Sequence, residues 1–462
     1  MNQTRLLALV AGLAAIMMAL APVPGTAQDT HYWDTQYGPR SMLLSGSVIG
    51  SVNDMSGTYY NPGALGYMEK PELLLSANVY AVSSLTIRDG GGDGLDLETN
   101  DFNLLPNMLA GAFRKSWLGK NKLAYSFLTR YRFNTKVRGA RTDRLDVLDQ
   151  YPGEEDFAGG LKVSAKSSEL WTGLTWSRGT QGWIGFGVTT YFSIKNLDTE
   201  NQLFAQALSD SGQMALYYDV RNYDSSVYSL LWKAGLGFDL EPVTLGLTVT
   251  TPNVEIHGSG RTTLNNSHVG IDTNGDGEIN DGFQATVQEN VDANYRSPLS
   301  VGAGAALHTD KWVFNLSAEW FDAIDKYDTL ELQPFVSQET GETINPELAH
   351  KAVSVLNYAA GIEYKGKKYG GYLGVNTDFS SFDPESDVAV TGYDLYHIAG
   401  GTDIVMKRTK LTLGIGYAWG SEKIYQVIDL NPGDDDTVLN PDDQVELSYN
   451  RWTFILGFSV SL

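Results

Sequence analysis

The chain has 462 residues, a formal net charge of −22 and no cysteine. The acidic balance argues against a nucleic-acid partner, because a polyanion would be repelled. The lack of cysteine excludes a disulfide framework and a thiol-linked lipid anchor. With 49 glycines, 25 tyrosines, 10 tryptophans and a mean hydropathy of −0.21, the chain suits a barrel wall in which only every second residue is apolar.

The N-terminus places Arg5 before an apolar run from Leu6 to Ala21, then small residues at Gly25 and Ala27. This layout predicts a cleavable signal peptide over 1–27; the run is short of the ~20 apolar residues a spanning helix needs. No later stretch is long and apolar enough for a helical span, so an exported chain of this kind is either soluble or an outer-membrane barrel. Residues 28–71 precede any strand. They are too few to fold alone and too many to be slack, and the economical place for them is the lumen, as a plug. They contain Ser45-Gly46-Ser47 and the corner Tyr59-Tyr60-Asn61-Pro62-Gly63-Ala64-Leu65. Pro62 fixes its own φ and biases Asn61 towards an extended shape, and Asn61 can bond nearby backbone.

The remainder, 72–462, reads as all-β: a membrane-spanning antiparallel barrel of about fourteen strands. The clearest strand covers 123–137. Leu123, Tyr125, Phe127, Tyr131 and Phe133 occupy one face, and Arg130, Arg132, Lys136 and then Arg138 fall on the other. The same period recurs at Trp312–Trp320, Leu411–Trp419 and Trp452–Leu462, although Leu462 stands where such barrels usually end on an aromatic residue. Strand starts fall near 72, 104, 121, 161, 182, 225, 243, 285, 311, 352, 368, 392, 410 and 446. The eighth is interrupted by Pro298, a residue disfavoured inside a ladder. Short connections alternate with long ones, the pattern of periplasmic turns and outer loops. The long ones are placed at 90–103, 140–160, 197–224, 257–284, 322–351, 380–391 and 421–445.

In the fourth of these, Asp272, Asn274 and Asp276 stand at positions 1, 3 and 5 of a calcium-loop pattern, with Gly277 at 6 and Ile279 at 8. Glu278 and Asp281 add carboxylates, but position 12 is Phe283. Calcium in an outer loop, or a bare acidic hairpin, are both open. The six histidines show no metal spacing and no nucleophile motif stands out, so neither an enzyme nor any other cofactor is expected.

The stretch Gly50–Leu65, with its aromatic pair followed by Asn61-Pro62, and the stretch Arg296-Ser297-Pro298-Leu299-Ser300-Val301-Gly302-Ala303-Gly304, leading through Lys311-Trp312 to Ala318-Glu319-Trp320, resemble the FadL/TodX-type family of outer-membrane transporters. The resemblance implies a monomeric barrel in the bacterial outer membrane. Its N-terminal segment would be a hatch hinged about Asn61, Pro62 and Gly63, the last standing where the family usually has alanine. Glycine there implies a looser hatch or a differently packed one. The cargo would be a hydrophobic small molecule, a long-chain fatty acid or an aromatic hydrocarbon, captured at the outer loops and released sideways into membrane lipid. For a carboxylate cargo, Arg130, Arg132, Lys136 and Arg138 on the inner face are the candidate partners. Leu203 and Phe204, in the third outer loop, are a candidate capture patch or a short helix on the rim. A wall gap near Gly182–Gly187 is one expectation. A different class of function, a scaffold or shuttle barrel for secreted proteins, fits the same architecture.

Overall fold

The computed structural model describes residues 30–68, 72–113, 120–148, 153–180, 182–271, 279–383, 391–426, 430 and 444–461. The signal-peptide stretch, Asp272, Asn274, Asp276, Glu278, the acidic runs at 433–436 and 441–443, and Leu462 lie outside the described residues.

Twenty strands follow in order: β1 Glu72–Ile87, β2 Leu97–Ala112, β3 Asn121–Leu145, β4 Glu155–Thr180, β5 Ile184–Leu208, β6 Met214–Asp239, β7 Val243–Thr250, β8 Val254–Ile271, β9 Asn280–Val291, β10 Ser300–His308, β11 Trp312–Phe321, β12 Ile324–Leu330, β13 Phe335–Val336, β14 Thr343–Ile344, β15 Leu348–Ala352, β16 Val355–Lys365, β17 Tyr369–Asp378, β18 Leu395–Met406, β19 Thr409–Tyr425 and β20 Gln444–Ser461. Fourteen of them, β1 to β7, β10, β11 and β16 to β20, form one antiparallel wall. It closes through β1 against β20 and stays continuous through β5 against β6. Closure leaves the wall no terminal edge strand, as a membrane requires.

The alternation has the sense of a membrane barrel. On β4, Ser167, Glu169, Trp171 and Thr175 are buried, while Leu170, Leu174 and Trp176 face out. Outward rows of the same kind run along β11 (Trp312, Phe314, Leu316) and β20 (Trp452, Phe454, Leu456, Phe458). In water such surfaces would be a liability; lipid is their solvent.

Three expectations about loops and strands change. β5 and β6 pair without interruption from Ile184↔Phe238 to Leu208↔Met214. The third outer connection is therefore residues 209–213, and Leu203 and Phe204 lie in a strand rather than a loop or helix. The strand begun at 285 is not a barrel strand. Residues 254–271 and 280–291 make a hairpin whose first arm pairs with the outer part of β6, while β7 pairs with its inner part. The eighth barrel strand is β10, which starts after Pro298. Pro252 breaks the β7–β8 line in the same way, since neither proline can donate to a ladder. Asn253 joins the two breaks: its backbone N–H donates to Ser297 Oγ (2.9 Å), its Oδ1 accepts from the Ser297 N–H (2.7 Å), and its Nδ2 donates to the Tyr295 carbonyl (2.8 Å).

The third change is in β3. Its register to β4 slips between Thr129 and Tyr131, a bulge that reverses which face each later residue occupies. Arg132, Lys136 and Arg138 consequently point outward and are exposed, while Tyr131, Thr135 and Val137 turn inward. The strand with one basic inner face does not exist; only Arg130, at the bulge, is buried.

Candidate functional site

Residues 30–68 lie against inward-facing groups of strands on every side of the barrel. Two short α-helices, Pro39–Leu43 and Gly57–Tyr60, and a 3-10 turn over Ala64–Tyr67 give them shape. Tyr37, Leu43, Leu44, Val48, Ile49 and Leu65 are buried in a common cluster with Leu74, Met108, Trp171, Tyr191 and Ile455 of the wall. Each fully buried leucine or isoleucine contributes about 2 kcal/mol, so this docking is substantial before any polar contact is counted.

The Asn61-Pro62-Gly63 corner has a specific geometry. Asn61 ends its helix in an extended conformation (φ −159). Its Nδ2 donates to the Ile49 carbonyl (3.1 Å) within the segment and to the Leu236 carbonyl (2.9 Å) of β6, and its Oδ1 accepts from the Gly63 N–H (3.0 Å). One side chain thus closes the turn and fastens it to the wall. Gly63 is packed rather than loose: a Cβ there would meet the Gly235 carbonyl oxygen at 2.5 Å and that of Gly185 at 2.7 Å. Backbone meets backbone at this point, and the glycines of β5 are used for that approach. The strand around Gly185 pairs fully with both neighbours, so no wall gap forms there.

Three charged contacts join the segment to the wall. Arg40 donates through Nε (2.8 Å) and Nη2 (2.6 Å) to Glu363 of β16. Asp34 accepts from Arg451 of β20, Nη1 to Oδ2 at 2.9 Å and Nη2 to Oδ1 at 2.8 Å. Glu319 of β11 accepts from Trp33 Nε1 (2.9 Å), from Ser300 Oγ (2.7 Å) and from Lys233 Nζ of β6 (3.3 Å), and that ammonium also lies 4.7 Å from the Tyr59 ring centroid. Burial pushes the Asp34 carboxyl up, but the charge and hydrogen bonds of Arg451 outweigh it and hold it at about 2.

Above the Gly57–Tyr60 helix the lumen is aromatic. Tyr59 packs with Tyr37 (4.4 Å between centroids), Tyr60 (5.1 Å) and Trp171 (6.2 Å), and Trp171 with Tyr191 (4.8 Å). Arg130 lies over Trp171 at 5.6 Å, so of the four basic candidates on β3 it alone reaches the interior. Leu203 faces inward and packs on the outer-half cluster around Leu161 and Ala207, whereas its neighbour Phe204 is on the opposite, outer face. Asp281 is engaged as an acceptor for the Gly270 N–H (2.8 Å).

Among the described residues, the longest break in the pairing of the wall lies between β2 and β3. β2 pairs with β3 only from Met108↔Leu128 to Ala112↔Ala124. Beyond that the two strands separate, where the β3 bulge redirects the chain, and each keeps only its other partner. The outer end of the separation is filled by Leu97, which packs with Val137 and crowds Gly139. Between lies a small cavity of about 80 Å³ lined by Asp34, Asn107, Thr129, Arg132, Asn134 and Arg451, among others. A side-chain bridge crosses it: Asn134 Nδ2 donates to Asp101 Oδ1 at 3.2 Å. The window therefore reaches from the outside to Asp34 of the N-terminal segment. Sequence reasoning missed it because a strand separation leaves no compositional mark; the nearest signal is Pro106, inside β2. A larger concavity of about 830 Å³ is lined by outward residues such as Leu245, Leu247, Ala303, Leu316 and Tyr358, and so belongs to the lipid-facing surface.

No family model matches the sequence, and no curated protein is similar to it at the sequence level. Solved structures are similar in fold. The Pseudomonas putida toluene transporter TodX superposes with a TM-score of 0.58 at 13% identity, over 92% of this chain and 99% of that one. A Pseudomonas aeruginosa FadL homologue gives 0.61 at 12% identity, over 93% and 99%. The Ralstonia pickettii toluene transporter TbuX gives 0.54 at 11% identity, over 92% and 98%. Over nearly its whole described length, the chain has the fold of the FadL/TodX-type channels.

Proposed function

We propose that this chain is a bacterial outer-membrane channel for hydrophobic small molecules, with residues 30–68 acting as its hatch. Cargo enters the aromatic lumen from the outer side, rests above the Gly57–Tyr60 helix, and leaves between β2 and β3 into lipid. The observation that carries this reading is the window. It is the longest stretch of unpaired wall among the described residues, and the hatch residue Asp34 lines it beside Arg451. A hatch movement that shifts Asp34 would therefore alter the opening itself. A barrel that closes within one chain needs no second copy for this path. The fold relatives named above are described as toluene transporters and a FadL homologue, and aromatic hydrocarbons and long-chain fatty acids are the two cargo classes that fit an aromatic lumen.

Purifying the barrel from its native membrane in mild detergent, extracting with organic solvent and analysing by mass spectrometry tests the reading. One class of hydrophobic molecule in near-stoichiometric amount is the expected result. An empty barrel that co-purifies with a secreted protein would overturn it in favour of a scaffold role.

A further inference from the structure

The outward turn of Arg132, Lys136 and Arg138 leaves three cations with no role in the wall. They stand in one outward row on β3, all three are exposed, and none of their side chains makes a hydrogen bond or ion pair among the described residues. Acids are plentiful in a chain of net charge −22, yet those on the same face of β5 serve other partners. Glu200 holds Lys162 (2.5 Å) and Asp198 holds Lys166 (3.5 Å). Arg138 stands directly opposite Lys162 of β4. Like charges in that position are destabilising, so the fold itself gains nothing from Arg138. On the other flank β2 has already left β3 at this height.

The row begins where the apolar surface ends. Thr129, Leu170 and Ile194 pair across β3, β4 and β5 and mark one level. On the inner side of that level the outward residues include Phe127, Leu174, Trp176 and Val188. On the outer side they are Ser168, Lys166, Ser164 and Lys162 on β4, with Asn196, Asp198 and Glu200 beside them on β5. From Asn121 to Thr129, at about 3.3 Å a residue and with the usual tilt, the wall rises through roughly the ~25 Å of an apolar band. The three cations therefore stand in the head-group layer of the outer leaflet. A concavity of about 250 Å³ opens at the outer end of the row, lined by Arg138, Lys162, Gln202 and Phe204 among others.

We infer that this face of β3 and β4 is a docking site for a phosphorylated glycolipid of the outer leaflet. Arg132, Lys136 and Arg138 hold its phosphates, and its acyl chains lie on Phe127, Leu170 and Leu174 below. The guanidinium fork matches phosphate geometry. An anion between Arg138 and Lys162 offsets the repulsion that the bare strands carry. The lipid chains then continue onto apolar surface that is already there, which a soluble anion has no means of using. The inference needs only the outer-membrane location and holds for any cargo.

The test titrates the full-length barrel in detergent with diphosphoryl lipid A and with its dephosphorylated form, read by native mass spectrometry. EDTA is present throughout, so that no divalent cation bridges phosphate to the acids of the chain. The variant is Lys136→Gln with Arg138→Gln; Arg132 is kept because it also lines the window. Lys367→Gln with Lys368→Gln removes the same charge from the turn between β16 and β17, at the opposite end of the barrel. Folded electrophoretic mobility without heating serves as the folding control. The native protein should bind the phosphorylated lipid about tenfold or more tighter than the dephosphorylated one. The β3 variant should lose about tenfold in affinity for the phosphorylated lipid, and the turn variant should keep it. Equal binding by the native protein and the β3 variant, or no preference for the phosphates, overturns the site. Full displacement of the lipid by millimolar inorganic phosphate overturns the lipid as its occupant and leaves a free anion in its place.

Discussion

Glu319→Ala is expected to be the most damaging single substitution in the barrel interior, destabilising it by ~3–5 kcal/mol, because removing one partner of a buried pair strands the other. Glu319 and Lys233 are 4% and 3% exposed. Truncation would leave the Lys233 ammonium in the lumen with only the Tyr59 ring, and would orphan Trp33 Nε1 and Ser300 Oγ. The contact joins β6, β10, β11 and the hatch, so its loss should loosen the hatch as well as the wall. Urea unfolding of the barrel refolded into liposomes measures the first effect, and protease cleavage within residues 30–68 measures the second. Glu319→Gln, which keeps acceptor capacity but not charge, should fall between. A change within ~0.5 kcal/mol for Glu319→Ala would mean that the trio does not hold the hatch.

Asp34→Ala is expected to act on transport more than on the wall. Asp34 and Arg451 are mostly buried, and both line the window between β2 and β3. Losing the carboxylate removes the two side-chain contacts it makes with Arg451 and takes away the polar plug of the opening. Only the Arg451 Nη2 bond to the Asp34 carbonyl (3.0 Å) is then left between the two residues. If the closed position of the hatch depends on this pair, weakening it by more than ~1.4 kcal/mol raises the open population about tenfold. Uptake of a hydrophobic tracer by proteoliposomes should rise accordingly. Acid should imitate the substitution. A carboxyl held below its unfolded value contributes stability above that value and loses it as the pH falls through the folded one. For Asp34 that window runs from the unfolded reference near ~3.9 down to about 2. Tracer uptake that is flat across this range, and unaltered by Asp34→Ala, would dissociate the pair from gating.

Much of the fold was legible because a barrel writes itself into sequence as period two. The outward rows on β11, β19 and β20 appear as alternating aromatic and aliphatic residues, and the short turns appear where Asp, Lys, Gly and Pro cluster. What could not be read is where the period changes phase. The bulge at Thr129/Tyr131 adds one residue to β3, and that single residue sends Arg132, Lys136 and Arg138 outside and leaves Arg130 within. Similarly, Leu203 and Phe204 look like loop residues because β5 and β6 continue beyond the lipid with polar outward positions such as Asp198 and Glu200. Pro298 was correctly a break, but it marks the start of β10 rather than a flaw inside a strand. The corner at Asn61 was visible as a turn. Its grip on the Leu236 carbonyl of a strand 175 residues away was not, nor were the buried partners of Lys233 and Arg40, since such pairings are settled only by closure of the wall. The window is the extreme case: it is a pairing that does not occur.

The most direct measurement is therefore on that window. The chain has no cysteine, so the double variant Asp101→Cys, Asn134→Cys carries its only thiols on the two sides of the separation, at the positions whose side chains now meet at 3.2 Å. Tracer uptake into proteoliposomes is followed with the pair reduced, joined by a short thiol cross-linker that a reductant cleaves, and released again. The account predicts uptake in the reduced state, loss of about tenfold or more when the strands are joined, and recovery on release. Unchanged uptake through a fully cross-linked barrel would contradict it, and cargo would then leave by another route.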